Sequence, residues 1–323
     1  LIFLAFLLPI TVFGANLIIV IIVLLWLLSG NYKFKFNQII KNKLMVSSIV
    51  FFAIHLLGLF WTEDMKWGLH ILHKMWYFLL LLPVLFNIVK KEYISYYINS
   101  FLFAMILSVT ISYLIWFQII EPFKDANVFN PTPFMSHISY NPIITLAIYI
   151  VSHEVLFNKS LGKLTKYFFI FFVIAMIFNM FITGGRAGQV MFFAMIGILI
   201  FQFYRGQKLK AILIISVLIP GIFLAAYNSS TIFNKRVNEG FNEIVSYNKS
   251  EISAVNVSSI GERVLFALNC WKIIKKNPIL GVGTGDLPNE YKKVNQKNTP
   301  SAPNVTNPHN MYTLILVQLG FLG

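Results

Sequence analysis

The chain has 323 residues, of which 57% are hydrophobic and 12% are charged, and its mean hydropathy is +0.72. Soluble proteins carry about 25% charged residues, so this composition excludes a soluble globular protein and indicates a polytopic membrane protein. The single cysteine, Cys270, excludes both an intrachain disulfide and a metal cluster held by cysteines.

Nine hydrophobic runs predict membrane helices, and the fold class that follows is all-α. A helix needs about 20 apolar residues to cross a hydrocarbon layer of ~30 Å. The first run is shorter, and a tenth helix begins at residue 310, so we expect a fragment that begins and ends inside membrane helices. The predicted spans are residues 1–9, 12–28, 44–61, 69–89, 94–120, 141–157, 167–183, 188–204 and 211–226.

The longest polar interval, residues 227–309, separates the ninth predicted helix from the tenth. The chain is therefore predicted to have three parts. Residues 1–226 hold the nine helices, residues 227–309 form a loop domain, and residues 310–323 start the tenth helix. Because the remainder is hydrophobic, we expect the chemistry in or beside this loop domain.

The net charge of +14 is explained by membrane topology. We therefore expect membrane lipids as partners and no nucleic acid. Short loops that carry lysine and arginine stay in the cytoplasm, whereas long loops cross largely regardless of charge. The loop domain is therefore predicted to lie outside. The twelve basic residues in alternate loops are Lys33, Lys35, Lys41, Lys43, Lys90, Lys91, Lys159, Lys163, Lys166, Arg205, Lys208 and Lys210; the opposite short loops have Lys66, Lys124 and Arg186.

Residues 183–188, with the sequence TGGRAG, predict a turn with Arg186 at the mouth of the next helix. A helix N-terminus carries a partial positive charge, so an arginine there is electrostatically unfavourable by itself. A bound anion such as phosphate would relieve the conflict, and glycines such as Gly185 let the backbone approach it closely. An arginine that extends to the membrane surface is the alternative, and the sequence leaves both open.

Residues 264–276 predict an amphipathic helix that lies along the membrane surface. Arg263 is predicted to face protein or ligand, where an unpaired charge is costly. Its partner is either a carboxylate, such as Glu262 or Asp286, or a substrate phosphate. The predicted polar face has Asn269, Lys272, Lys275 and Lys276, and the face of Arg263 has Ala267, Cys270, Trp271 and Ile274.

His309 follows Pro308 and precedes Asn310, which is a predicted N-cap of the tenth helix. An imidazole beside a helix N-terminus tends toward its neutral form, which accepts a proton. His309 is therefore either a general base or an ordinary histidine at the membrane interface. His137, in the predicted outer loop of residues 121–140, is a candidate to line the same cavity.

Two further patterns are weaker. Residues 281–286, GVGTGD, look like a nucleotide-binding loop, but no strand precedes them and no Lys-Ser/Thr pair follows. We interpret them as a tight turn that shapes the loop. His70 and His73 are one turn apart, yet few carboxylates lie near them, so no metal site is predicted.

Several of these elements together resemble one family. His309 and Asn310 are followed, after nine residues, by GFLG at 320–323. This pattern is similar to a signature of bacterial O-antigen ligases and the wider O-antigen ligase and polymerase superfamily, in which HN, HS or HQ is followed after nine residues by GxxG. Arg186 resembles the family's Ser/Gly-Arg-Gly/Ala element, although Gly185 stands where the family often has serine. Arg263, Trp271 and the segment NPILGVG at 277–283 resemble its Arg, Trp, NPxxGxG block.

The resemblance implies a metal-independent, inverting glycosyltransferase without a cofactor, built as a GT-C-like helical bundle with a large helical periplasmic loop. The donor would be a glycan on undecaprenyl diphosphate, and the acceptor a lipid A core sugar at the periplasmic side of the bacterial inner membrane. His309 would be the catalytic base, and Arg186 and Arg263 would bind the diphosphate. Asn310, Gly185 and His137 would support them.

Three alternatives remain. An O-antigen polymerase would use the same donor and a growing glycan as acceptor, and a protein O-glycosylating ligase would use a protein. A transporter of lipid-linked glycans belongs to another class. It predicts internal repeats and helices broken at mid-membrane, and the sequence predicts neither.

Overall fold

The computed structural model describes residues 1–124, 126–245, 259–300 and 302–323. The protein is 77% helical and no strand occurs among the described residues, which confirms the all-α prediction. Helices form because each satisfies its own backbone hydrogen bonds, as an apolar environment requires. The α-helices are α1 (Ile2–Leu7), α2 (Val12–Leu28), α3 (Tyr32–Lys41), α4 (Lys43–Leu57), α5 (Met65–Lys74), α6 (Trp76–Leu79), α7 (Leu81–Ile88), α8 (Ile94–Trp116), α9 (His137–Phe157), α10 (Lys163–Ile182), α11 (Arg186–Phe203), α12 (Lys208–Ser229), α13 (Thr231–Val245), α14 (Ser259–Lys276), α15 (Leu287–Asn298) and α16 (Met311–Leu319).

The protein is a polytopic membrane protein by the length and composition of its helices. Among the described helices, five could cross a membrane, and two bent pairs raise the number to seven if each pair is one span. Two shorter apolar helices, Ala187–Phe203 and Met311–Leu322, coincide with the predicted eighth and tenth spans. The five helices that could cross a membrane are Lys43–Trp61, Lys91–Trp116, His137–Phe157, Lys163–Ile182 and Lys208–Ser229.

The predicted fourth span, residues 69–89, is broken, so the expectation of unbroken spans was wrong here. Met65–Lys74 and Trp76–Ile88 meet at an angle of 50°. A second interruption falls at Leu80, three residues before Pro83. Pro83 has no N–H to donate to the carbonyl of Leu79, and its ring clashes with that carbonyl. The helix is therefore interrupted one turn before the proline.

Two other boundaries differ from prediction because of backbone conformation. The helix predicted to reach residue 120 ends at Trp116, and Gln118 adopts a φ of 59° that an α-helix does not contain. The basic segment predicted as a loop after α2 contains the helix α3, which lies at 116° to α2. Gly30 and Asn31, with φ of 65° and 54°, turn the chain between them.

Leu1–Val20 and Lys90–Glu239 form the first of two compact units. Its core contains a buried polar chain: Tyr140 Oη donates to Asn179 Oδ1, and Asn179 Nδ2 donates to Ser112 Oγ, both at 2.8 Å. This chain connects α9, α10 and α8. Because each group has a partner, the cost of burying it in an apolar bundle is offset.

One end of the first unit gathers five helix termini. Trp116 at the end of α8 lies 5.6 Å from Phe178 of α10 between ring centroids, and Ser230 Oγ after α12 donates to Phe181 O at 2.8 Å. The first turns of α9 and α11 pack together here, where Gly185 contacts Asn141. The lysines that begin α10 and α12 therefore lie at the other end of the unit.

Ile21–Val89 and Gly240–Gly323 form the second unit. A loop at residues 277–286 connects its helices through backbone hydrogen bonds. Val282 N–H donates to Val317 O, and Gly283 N–H donates to Gln318 O, both at 2.9 Å. On its other side, Thr284 Oγ1 donates to His55 O at 2.7 Å. Residues 281–286 thus lie outside any helix and connect α16 with α4, and the prediction that they form a tight turn stays a prediction.

The end of α16 packs on the same loop through Gly320. Its φ is 61°, and Phe321 N–H donates to Pro278 O at 2.9 Å. A Cβ on Gly320 would lie 2.6 Å from Pro278 O and would also overlap the Ile279 carbonyl. The position therefore requires glycine both for its conformation and for its space.

The predicted division into residues 1–226, 227–309 and 310–323 stays a prediction. Residues 246–258 of the predicted loop domain lie outside the described residues. The GT-C class and the orientation in the membrane likewise stay predictions.

We expect Gly320→Ala to lower the free energy of unfolding by more than about 2 kcal/mol, because left-handed strain and steric overlap add. Gly30→Ala is the matched control, since Gly30 has a similar φ of 65° and a Cβ added there would meet nothing within 4 Å. That variant should lose about 1 kcal/mol. Denaturant unfolding in detergent measures both. Equal losses would contradict the close packing of Gly320 on the loop.

Candidate functional site

The turn before Arg186 is held by Asn141 of α9. Thr183 Oγ1 donates to Asn141 Oδ1 at 2.7 Å, and Asn141 Nδ2 donates to Gly185 O at 3.2 Å. A Cβ on Gly185 would lie 2.5 Å from Asn141 Nδ2 and 2.6 Å from His137 O. The close approach of the turn to α9 therefore explains a glycine at position 185, where the family often has serine.

Arg186 is the first residue of α11, close to the predicted position at the mouth of a helix. Its N-cap, Gly185, has no side chain to accept from the first-turn N–H groups. The backbone of Arg186 is described, but the course of its side chain lies outside the described part of the structure. Anion binding at this helix start stays a prediction.

A polar cavity of about 480 Å³ opens beside this turn. His137, Gly184 and Lys235 line it, together with Asn130 and Glu239. Asn130 Nδ2 lies 2.7 Å from His137 Nδ1. Because an amide N–H only donates, Nδ1 accepts and the proton of a neutral His137 is on Nε2. The cavity thus presents a histidine, a lysine and an amide next to the turn that leads into Arg186.

His309 lies in the second unit, at the start of α16, with an exposed side chain. Its φ is 57°, a conformation that few residues other than glycine adopt. His309 N–H donates to Asn307 Oδ1 at 2.8 Å, and the imidazole stacks on Phe266 with ring centroids 6.3 Å apart. Backbone and ring are therefore both fixed by neighbours, as is common for functional residues in strained conformations.

Asn310 caps α16, as the sequence predicts. Its side chain accepts from Thr313 N–H at 3.2 Å. The cap fixes the first turn of the helix directly after His309, so the imidazole lies at a helix N-terminus.

The predicted polar face of α14 was wrong at one residue: Lys272, Lys275 and Lys276 are exposed as predicted, but Asn269 is buried. Asn269 was assigned to the polar face, but it is 2% exposed and donates to Thr299 Oγ1 at 2.8 Å. Cys270 and Ile274, assigned to the face of Arg263, are also buried, in a cluster with α15 and α16. The physical reason is that the segment around α15 offers Asn269 a polar partner inside the core. Burial raises the pKa of the Cys270 thiol to about 12, so it is an unreactive core residue.

Arg263 was predicted to face protein or ligand, and its side chain is exposed, so it does not face protein. It makes no hydrogen bond or ion pair within the described ranges. Asp286, one predicted partner, instead accepts from Asp64 N–H at 2.7 Å and Glu63 N–H at 2.8 Å. Arg263 lies one helical turn before Phe266, the residue on which His309 stacks. The guanidinium is therefore available to an anionic ligand. It lies near the N-terminal end of α14, where Phe266 contacts His309.

No group of three or more His, Cys, Asp or Glu side chains is arranged to hold a metal ion in the parts of the chain that are described. His70 packs against Trp67, with ring centroids 4.9 Å apart.

Residues 171–323 match the family model described as O-antigen ligase. This part of the chain is similar to the O-antigen ligase superfamily. Neither a curated protein nor a solved structure matches the chain. The matched part of the chain includes Arg186, Arg263 and His309. The family supports O-antigen ligase or polymerase activity in general, a glycosyltransferase-like chemistry, and lipid-linked glycan substrates in a multi-pass membrane protein.

The two compact units each contain part of the predicted site. Arg186, Gly185 and His137 belong to the first unit, and Arg263, His309 and Asn310 to the second. Their convergence in one pocket stays a prediction.

Sequence reasoning missed several residues that organise the first unit's part. Asn141 and Thr145 are both fully or nearly fully buried, and Thr145 Oγ1 donates to Gly188 O at 3.1 Å. Their spacing of four residues inside an apolar run was a signal for a polar stripe facing another helix. Lys235 of α13 and Asn130 of the loop before α9 come together at the cavity only when the chain folds. Nothing in their local sequence indicates this.

We expect Asn141→Ala to destabilise the protein by about 1–3 kcal/mol, because the Thr183 hydroxyl and the Gly185 carbonyl lose their buried partner. Asn228→Ala on α12 is the control, since exposed Asn228 makes a single hydrogen bond to Leu224 O at 2.9 Å. Thermal unfolding of the purified proteins in detergent compares them. A loss for Asn141→Ala no larger than for the control would show that Asn141 does not hold the turn.

Proposed function

We propose that the protein is an O-antigen ligase that moves a glycan from undecaprenyl diphosphate to a sugar hydroxyl of the lipid A core. The observation that carries this proposal is the family match over residues 171–323. That interval contains the arginines of both predicted elements and the HN, nine, GxxG signature from His309 to Gly323 in the family's order. We place the reaction at the periplasmic side of the bacterial inner membrane, following the distribution of basic loop residues.

His309 is proposed as the general base. It takes the proton of the acceptor hydroxyl while the oxygen attacks the anomeric carbon and inverts it. The new glycosidic C–O bond forms as the bond to the diphosphate breaks, and the electron pair leaves with the diphosphate. The exposed imidazole, its stacking on Phe266 and its position before α16 support this role.

Arg186 and Arg263 are proposed to bind the diphosphate. A guanidinium offers a planar fork of donors that fits two phosphate oxygens at once. Charge develops on the leaving diphosphate, and fixed cations stabilise it most where water is excluded. Arg263 supports this role by being exposed and without a protein partner among the described residues. For Arg186, the support is its place at a helix start beside the polar cavity.

The product of a defined reaction tests the proposed function. Purified full-length protein is incubated with an undecaprenyl-diphosphate glycan and lipid A core, or with the donor alone. Glycan on the core supports a ligase. Longer glycan on the lipid carrier would instead indicate a polymerase, and movement of the donor across proteoliposomes without transfer would indicate a transporter.

We expect His309→Asn to lower kcat by about 10² to 10⁴, since that is the usual effect of losing a general base. Asparagine is chosen because it tolerates a left-handed φ, so the backbone at residue 309 is preserved. His73→Asn, at an exposed histidine of α5, is the control and should keep full activity. Single-turnover transfer rates measure the effect. A wild-type rate for His309→Asn would remove the proposed base.

We expect Arg186→Lys to lower kcat by about 10² to 10³, similar to removing one donor from an oxyanion site. Lysine keeps the charge but not the fork, so the loss isolates bidentate binding. Arg205→Lys, in the loop after α11, should be as active as wild type. Transfer rates at saturating donor are compared, and normal turnover of Arg186→Lys would count against a bidentate contact.

A further inference from the structure

The helix α3 leaves α2 close to a right angle. Gly30 and Asn31 turn the chain between them, and the two helix axes meet at 116°. The 17 residues of α2 are mostly apolar, in agreement with the predicted span at residues 12–28. With α2 as a membrane span, α3 runs near the plane of the membrane at one end of that span.

One side of α3 is fixed to the protein. Ile39 is buried, and the helix packs on α4 and α7. Gln38 Oε1 accepts from Asn87 Nδ2 at 3.2 Å, and Lys35 Nζ donates to Trp26 O at 2.7 Å. Trp26 is in the last turn of α2, where the free carbonyls carry a partial negative charge and favour a cation. These contacts on one side determine which residues of α3 face outward.

The outward side of α3 has an apolar stripe beside a basic one. Tyr32, Phe36 and Ile40 are spaced by four residues, so they share one face of the helix, and each is more than half exposed. Lys33 and Lys41 belong to the next stripe around the helix and are also exposed. A helix with these two stripes suits the membrane interface, with its apolar side chains at the acyl boundary and its lysines among the headgroups.

The charge around α3 is of one sign. Four lysines lie between residues 33 and 43, and the chain has no Asp or Glu before Glu63. Lys35 is engaged with the end of α2, whereas Lys33, Lys41 and Lys43 are exposed. A cluster of about four lysines on an amphipathic helix is typical of segments that bind acidic lipids. The charge complement of this surface is therefore a layer of anionic headgroups.

We propose that the outward side of α3 is a binding site for acidic phospholipid headgroups. The apolar stripe of Tyr32, Phe36 and Ile40 keeps the helix at the acyl boundary whatever the lipid. Lys33 and Lys41 then select lipids that carry a net negative charge. This selection is electrostatic, so it weakens as salt screens the lysines. The inference goes beyond the proposed glycan transfer and does not depend on it.

The test measures which lipid collects beside α3 in the purified full-length protein. Asn37→Cys, on the outward side of α3, carries a bimane label, and Cys270 stays unlabelled because it is buried. The protein is placed in nanodiscs that contain phosphatidylglycerol or phosphatidylcholine with a nitroxide at the headgroup. At low salt, phosphatidylglycerol should quench the label at least about fivefold more strongly, which is the factor that one lysine gives near an anionic surface.

Two double variants, made in the labelled protein, assign the preference to α3. Lys33→Gln with Lys41→Gln should bring the two quenching constants to about the same value. Lys292→Gln with Lys297→Gln removes the same charge from exposed lysines of α15 and should keep the preference. Raising the salt from about 0.01 to 1 M shortens the screening length from about 30 to 3 Å. It should remove the preference without any change to the lysines.

Three results would overturn the inference. Equal quenching by both lipids at low salt would show that α3 does not select charge. An unchanged preference after loss of Lys33 and Lys41 would place the selection elsewhere. Quenching by neither lipid would show that α3 faces water. Any of these results in a protein that transfers glycan would leave the proposed function in place.

Discussion

The backbone hydrogen bonds between the loop at residues 277–286 and the end of α16 organise the second unit. Val282 and Gly283 donate to Val317 and Gln318, and Phe321 donates back to Pro278. Such pairing brings two main chains into direct contact, which leaves no room for side chains at Gly281 or Gly320. The NPxxGxG and GxxG segments are thus two sides of one contact. This contact fixes the C-terminal end of α16, and the other end of the helix follows His309 and the Asn310 cap.

A structural role for these glycines changes how the family signature should be interpreted. The HN pair and the GxxG segment are joined by a helix of about two and a half turns, so both ends of α16 are specified. Asn310 caps one end and Gly320 terminates the other against Ile279 and Pro278. Among the fixed positions of the signature, Asn310 caps the helix and the two glycines have no side chain, whereas the exposed imidazole of His309 stacks on Phe266. This arrangement is consistent with the proposed role of the imidazole as the base, with Asn310 and Gly320 fixing the two ends of the helix that follows it.

Helices could be predicted from the sequence where the apolar runs were long and their end signals strong. The predictions failed where contacts between distant segments decide which residues are buried. The turn at residues 183–185, the start of α11 and the Asn310 cap follow from local residue chemistry. The faces of α14 do not, because Asn269 looks like a surface residue until Thr299 supplies its buried hydrogen bond. The interruption at Leu80 also escaped an interpretation based on hydropathy, since Pro83 lies in a segment whose residues before and after it are apolar. The polar cavity could not be predicted, because its walls come from segments far apart in sequence.

The predicted site residues of the two units are positioned in different ways. In the first unit, buried amides and hydroxyls of α9 and α10 hold a glycine turn tightly, so the start of α11 is rigid while its side chain is long. In the second unit, the helix α14 buries its asparagine and cysteine and leaves Arg263 exposed and without a partner in the described ranges. A lipid diphosphate binds and leaves in each proposed catalytic cycle, so its ligands must not already be neutralised by carboxylates of the protein. Asp286 is a predicted carboxylate partner of Arg263. The backbone N–H groups of Glu63 and Asp64 occupy both of its oxygens, so it does not neutralise Arg263. The hydrogen bonds from Glu63 and Asp64 thus keep the Asp286 carboxylate engaged, which favours an external anion as the partner of Arg263.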